Sequence, residues 1–123
     1  MIEIRQDSSG GTYRIRGYQN NKVQINEFSY EHSLIVCSHT LIENWRPQNI
    51  DDLHPSDWES VIALQPKLVL LGTGSVLRFP PDHIMAPLIE KKIGYEIMDT
   101  AAACRTFTIL IAEDREVVAA LIT

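Results

Sequence analysis

The stretch Val69-Leu70-Leu71-Gly72-Thr73-Gly74-Ser75-Val76-Leu77-Arg78-Phe79-Pro80-Pro81-Asp82 joins an apolar run to a loop carrying two glycines. With Lys67 and Leu68 before it, the run reads as a strand buried in a sheet. Its neighbours decide what kind of sheet. Downstream, a helix is predicted from about Asp82 to Ile93, with Gly94 as its stop and Pro87 forcing a kink or a start in two steps. Tyr95-Glu96-Ile97-Met98 then reads as a short strand, and Asp99 or Thr100 as the cap of a helix over about 101–113. On that helix Ala103, Thr106, Phe107 and Leu110 share one side at helical spacing, which marks a face turned to the core. Residues 116–122 close the chain as a second buried strand. Strand, helix, strand, helix, strand makes two βαβ crossovers, so these three strands are expected to run parallel.

Upstream of residue 50 the pattern changes. Residues 12–18 alternate Tyr, Ile and Gly against Thr and Arg, Asn20-Asn21 supplies a turn, and Lys22-Val23-Gln24-Ile25 follows, which is a hairpin signal. Residues 33–38 form a continuous apolar run, and a short strand is expected near Leu41-Ile42-Glu43. Ser56-Asp57-Trp58-Glu59 fits a Ser-x-x-Glu capping box opening a helix over 56–64, which Pro66 stops. The fold class expected is α/β: one compact domain over 1–123 with a mixed, mostly parallel sheet, helices on its faces and an N-terminal β-hairpin. Residues 1–10 read as a loose segment.

Bulk properties exclude several classes of function. Apolar residues make up 45% and charged residues 22% of the 123, an ordinary soluble balance for one domain. The formal charge of −5 and scattered Lys and Arg leave no basic stripe for nucleic acid. No run approaches the roughly 18 apolar residues of a membrane span, and the N-terminus lacks the apolar core of a signal peptide. The chain therefore reads as cytoplasmic and not membrane-spanning. Cys37 and Cys104 read as small buried hydrophobes rather than a disulfide.

The loop after the first parallel strand invites comparison with a dinucleotide cradle. There, three glycines let the chain turn, let backbone approach a pyrophosphate, and let the helix pack on the strand. Gly72 and Gly74 fit the first two places, but Leu77 stands at the third, and Phe79-Pro80-Pro81 delays the helix whose amides should meet the phosphates. A P-loop fails for want of a following Gly-Lys-Ser/Thr. A small anion site remains open, in which Gly72, Thr73, Gly74 and Ser75 face Asp99, Thr100, Arg105 and Thr106 across a helix start. Arg105 points away from the core stripe and is the residue type for such a site. The competing reading makes it a structural arginine, because Asp99 opposes an anion.

Other chemistry is sparse. His32, His39, His54 and His83 have no metal-ligand spacing, so no metal and no cofactor is expected. Cys104 with His83 is a weak thiol–base pair, since nothing orients the histidine. Trp45-Arg46-Pro47 sits in a polar loop, where the indole covers the core edge or anchors a partner.

Residues 70–74, the run Glu96-Ile97-Met98-Asp99-Thr100-Ala101-Ala102-Ala103-Cys104-Arg105-Thr106 and the closing strand Val117-Val118-Ala119-Ala120-Leu121 together resemble the Mth938-like family, also called DUF498. The likeness covers about 11–123. It implies a single domain with a central mixed sheet and helices on its faces, and no established reaction. Mitochondrial members look like assembly factors for respiratory complex I, and bacterial ones are often encoded beside protein-export genes. The resemblance carries the family loop onto Gly72, Thr73 and Gly74, and its helix start onto Met98, Thr100, Ala103, Arg105 and Thr106. Many members have Asn after the aromatic that follows Arg-Thr, whereas Thr108 follows Phe107 here. The function expected is therefore a non-enzymatic accessory protein with a protein partner, in assembly of a respiratory or other membrane complex, which predicts an exposed apolar patch. The alternative is an enzyme or sensor that binds a small anionic ligand between the 72–75 loop and Arg105.

Overall fold

Asn20 and Asn21 both adopt left-handed backbone, with φ of 54° and 59°, the geometry whose twist suits a two-residue hairpin. In the computed structural model they join two strands of a small antiparallel sheet. The structure describes the strand Glu3–Arg5 and then residues 12–123. In chain order the strands are β1 (Glu3–Arg5), β2 (Ile15–Gln19), β3 (Lys22–Ile25), β4 (Phe28–Tyr30), β5 (Leu34–Val36) and β6 (Leu41–Glu43), with β7 (Leu68–Thr73), β8 (Gly94–Met98) and β9 (Val117–Ile122) in the second half. The helices are α1 (Glu59–Ile62), α2 (Ala86–Glu90) and α3 (Thr100–Ala112).

Six strands form the main sheet in the order β1-β6-β5-β9-β7-β8, and β2-β3-β4 form a second, three-stranded sheet. The three strands expected to be parallel are so: β7 pairs with both β8 and β9 in that sense. The sheet is mixed, and its first-half strands join antiparallel, through β1–β6, β5–β6 and β5–β9. The reading as mostly parallel is thereby refined. Short turns suffice for β5 and β6, whereas parallel strands need a helical crossover.

All six residues of β9 are buried, because both faces of the sheet are covered. Alternate residues go to opposite faces. Val69, Leu71, Val118 and Ala120 join Trp45, Trp58, Met85 and Leu88 on one side. Leu70, Ala119 and Leu121 join Val23, Ile25, Ala103 and Phe107 on the other. The hairpin thus lies over α3 as a separate layer and does not extend the main sheet.

Several local readings change. Pro55 takes the first position of a 3-10 turn (Pro55–Trp58), as its fixed φ favours. The cap therefore moves upstream of Ser56, and the Asp57 carboxylate accepts the His54 N–H at 2.8 Å. No Ser56–Glu59 box forms, and α1 is only one turn long. Before α2 the chain does start in two steps, a 3-10 turn Asp82–Met85 and then a helix with Pro87 in its first turn. That helix stops at Glu90 on left-handed Lys92 (φ 59°), and Gly94 opens β8 instead of ending a helix. Of the segment read as loose, residues 3–5 pair with β6 at the sheet edge, and the other residues of 1–10 lie outside those described. Cys104 is buried as expected, while Cys37 is only half-buried, and neither forms a disulfide.

Candidate functional site

From β7 the chain crosses to β8 on one side, and from β8 it returns past β7 to β9 on the other. Where winding reverses in this way, open α/β sheets leave a crevice at the carboxyl ends of the strands, the usual ligand site. Here the connections leave to opposite faces between β7 and β8, and α3 starts from the end of β8.

The buried Thr100 hydroxyl accepts the Gly74 N–H at 2.8 Å and donates to the Ile122 carbonyl at 2.6 Å. The Thr100 N–H also donates to the Gly74 carbonyl at 2.9 Å. One side chain therefore stitches both strand ends to the start of α3. Gly72 is what lets it approach: a Cβ there would stand 2.8 Å from the Thr100 Oγ1 and 3.1 Å from its Cα. Gly74 turns the chain away with a φ of +97°. Of the roles glycines play in a dinucleotide cradle, close packing of helix on strand is kept, and it serves the protein's own threonine.

Several other polar groups of the site are also engaged. Asp99 caps α3 by accepting the Ala102 N–H on Oδ1 at 2.8 Å, and its carbonyl accepts the Ala103 N–H. The Thr73 hydroxyl donates to the Val76 carbonyl at 2.8 Å and accepts the Arg78 N–H at 3.1 Å, closing the loop on itself. Arg78 reaches Asp51 at 2.6 Å. The structure thus brings together Gly72, Gly74 and Thr100, with Asp99 at the same helix start. Thr106 turns its hydroxyl toward the Met98 sulfur at 3.5 Å. Ser75 and Arg105 stay exposed, and Arg105 has no hydrogen-bond or ion-pair partner among the described residues.

One neighbour escaped sequence reasoning. The Tyr18 hydroxyl, from the hairpin, donates to the Thr123 carbonyl at 3.0 Å. Burial raises its pKa, helped by Cys104 and Asp99 nearby. Burial likewise pushes the Cys104 thiol up to about 12, with Arg105 pulling the other way, so Cys104 is a neutral core group. His83 lies in the turn before α2, on the face opposite α3, and makes no pair with it. Tyr18 showed in the sequence only as one beat of a strand alternation. Nothing local linked it to a helix 80 residues on.

Trp45 covers the core. Its ring lies 5.6 Å from Trp58, and its indole N–H donates to the Asp57 carbonyl at 3.1 Å. Arg46 beside it grips the Asp57 carboxylate at 2.7 Å and Asp52 at 3.1 Å, and also donates to the Asp52 backbone carbonyl. Burial works against ionised Asp57, but hydrogen bonds from Arg46 and the His54 N–H prevail and hold its pKa below the usual carboxylate range. Among the described residues no group of three or more His, Cys, Asp or Glu is placed to hold a metal, and no helix is long and apolar enough to cross a membrane.

These features define a class: an α/β domain of the Mth938-like fold whose own helix start is bonded to the ends of its parallel strands. The chain belongs to the family described as "Protein of unknown function (DUF498/DUF598)", which matches residues 15–122. A Bordetella parapertussis crystal structure superposes with a TM-score of 0.86 at 29% identity, covering 93% of this chain and 98% of that one. A Bordetella pertussis solution structure, described as a Mth938-like domain, superposes at 0.74 with 24% identity over 98% of this chain and 91% of its own. Among sequence relatives, the "13 kDa major membrane protein" of Francisella tularensis subsp. holarctica (strain LVS) is 23% identical over 95% of this chain and 96% of its own length. The Drosophila melanogaster "NADH dehydrogenase [ubiquinone] 1 alpha subcomplex assembly factor 3" is 34% identical over 64% of this chain. Its Xenopus tropicalis counterpart is 31% identical over 66%. The matches span 42% and 45% of those two assembly factors, so the chain corresponds to under half of each.

Proposed function

We propose that this protein is a non-enzymatic accessory factor that binds another protein during assembly of a respiratory or other membrane complex, acting from the cytoplasm. The observation that carries this reading is the loop beyond the end of β7. Val76, Leu77 and Phe79 are 64%, 47% and 68% exposed, although the loop is held firmly by Thr73, by Arg78 on Asp51 and by buried Pro80. Large apolar side chains kept in water on a braced loop are a preorganised contact. The two relatives named as assembly factors supply the biological setting. The test is affinity purification from native membranes with a photo-crosslinker at position 79. A reproducible partner, lost with Val76→Ser/Phe79→Ser, is expected. Its absence, or its indifference to those substitutions, overturns the reading.

Arg105, exposed and without an ion-pair partner among the described residues, favours one second reading, an enzyme or sensor that holds a small anionic ligand between the 72–75 loop and Arg105. Thermal-shift screening with anionic metabolites separates the two. Stabilisation of the wild type that disappears in Arg105→Ala supports the anion site, and failure of every metabolite removes it.

A further inference from the structure

At the amino ends of the same parallel strands the molecule is open. The start of β9, the last turns of α3, the turn before β7 and the approach to β2 surround a cleft of about 710 Å³, the size of a small-molecule site. Leu64 and Ile111, both half-buried, and the edge of Phe107 supply apolar lining, and Thr108 brings a hydroxyl. Arg14, Arg16 and Arg115 also line it, from two separate elements.

The state of these arginines is the informative point. Arg46 and Arg78 are both ion-paired. Arg14, Arg16 and Arg115 are exposed and have no ion-pair partner among the described residues. Two acids share the cleft, Asp114 and Glu116, and Glu116 already faces Lys67 at 3.9 Å. Nor do the cations serve the end of α3. The Leu110 carbonyl accepts the Glu113 and Arg115 N–H groups, Ile111 accepts from Asp114, and Asp114 is left-handed at φ 57°. That is a closed helix end with its carbonyls satisfied by backbone. Arg14, Arg16 and Arg115 thus bring forked N–H donors to one cleft from two elements, with no ion-pair partner among the described residues.

We infer that this cleft binds a small amphipathic anion, a carboxylate or phosphate head on a short apolar chain. The head engages the forked N–H donors of Arg14, Arg16 and Arg115, which suit planar or tetrahedral oxyanions. The chain lies along Leu64, Ile111 and Phe107. The site stands at the other end of the sheet from the 75–81 loop and does not depend on what that loop contacts.

Calorimetric titration below micelle concentrations, with octanoate, octyl phosphate, 1-octanol and inorganic phosphate as probes, tests it. One octyl anion per chain is expected, with octanol and inorganic phosphate at least about tenfold weaker. Preference between octanoate and octyl phosphate then assigns the head group. Arg14→Ala/Arg115→Ala is expected to lose about tenfold or more, and Lys22→Ala to bind as the wild type does. Absence of octyl-anion binding, octanol binding as tightly, inorganic phosphate binding as tightly (an adventitious ion only) or an unaffected double variant would each overturn the proposal. Should the double variant fail to fold, amide shifts in the wild type decide: they must centre on Ser38, Thr108 and Arg115, and a centre elsewhere refutes the site.

Discussion

The two ends of β7 and β9 are built in opposite ways. At the carboxyl ends, where α/β sheets ordinarily receive ligands, Thr100 satisfies a donor on one strand and an acceptor on the other. At the amino ends the arginines of an open cleft have no ion-pair partner among the described residues. A helix start with a threonine in its first position, opposite a glycine, joins two strand ends through one hydroxyl.

The sharpest way to break that contrast is Thr100→Val, which keeps the shape and removes the hydroxyl. The Gly74 N–H and Ile122 carbonyl are then left buried without it, at roughly 1–3 kcal/mol each. A loss of about 2–4 kcal/mol in urea unfolding is expected, with Thr100→Ser recovering most of it. Next in size is Gly72→Ala. Its methyl meets the Thr100 Oγ1 and Cα, and the backbone atom has nowhere cheap to go, so overpacking of about 1–3 kcal/mol is expected in the same assay.

A third test concerns how the closed end is fastened from outside, through Arg46 on Asp52 and Asp57 and through Arg78 on Asp51. Asp57→Asn should cost about 1 kcal/mol at neutral pH. Because the folded pKa of Asp57 lies below its ordinary value, its contribution is complete above about pH 4 and is lost as pH falls through the folded pKa. The gap between wild type and Asp57→Asn should therefore narrow in acid, and a gap that widens there contradicts the arrangement. The smallest effect belongs to the loop itself. Val76→Ser/Phe79→Ser should move stability by no more than about 0.5 kcal/mol, although partner capture is lost. A large destabilisation would make those side chains structural rather than a contact.

Much of this fold was legible in the chain. Aliphatic runs such as Val117-Val118-Ala119-Ala120-Leu121-Ile122 announce strands buried on both sides, and Asp99 announces the start of α3, where it caps as expected. Pro87 inside the 82–93 pattern implied the two-step helix that forms. Misreadings came where one strong local signal hid another. Ser56 and Glu59 spell a capping box, but Pro55 prefers the first helical position and moves the cap. Gly94 resembles a helix stop, but Lys92 takes the left-handed position and the glycine is free to begin a strand. Of the candidate site, Gly72, Gly74 and Thr100 were named from the residues together with the resemblance, because glycine pairs and helix starts have local signatures. Tyr18 was not, because its place beside Cys104 and Asp99 depends on folding the hairpin over α3.

By itself the sequence determined the elements, the parallel set β7, β8 and β9, and the incompleteness of any dinucleotide motif, since each follows from spacing and residue type within short windows. Only the tertiary structure decided what the glycine loop is for. Whether an amide at a strand end is free for a ligand depends on which distant hydroxyl reaches it, and Thr100, 26 residues from Gly74 along the chain, does so. The same holds for the arginine cleft: Arg14 and Arg115 come to line one cleft only when the hairpin packs over α3.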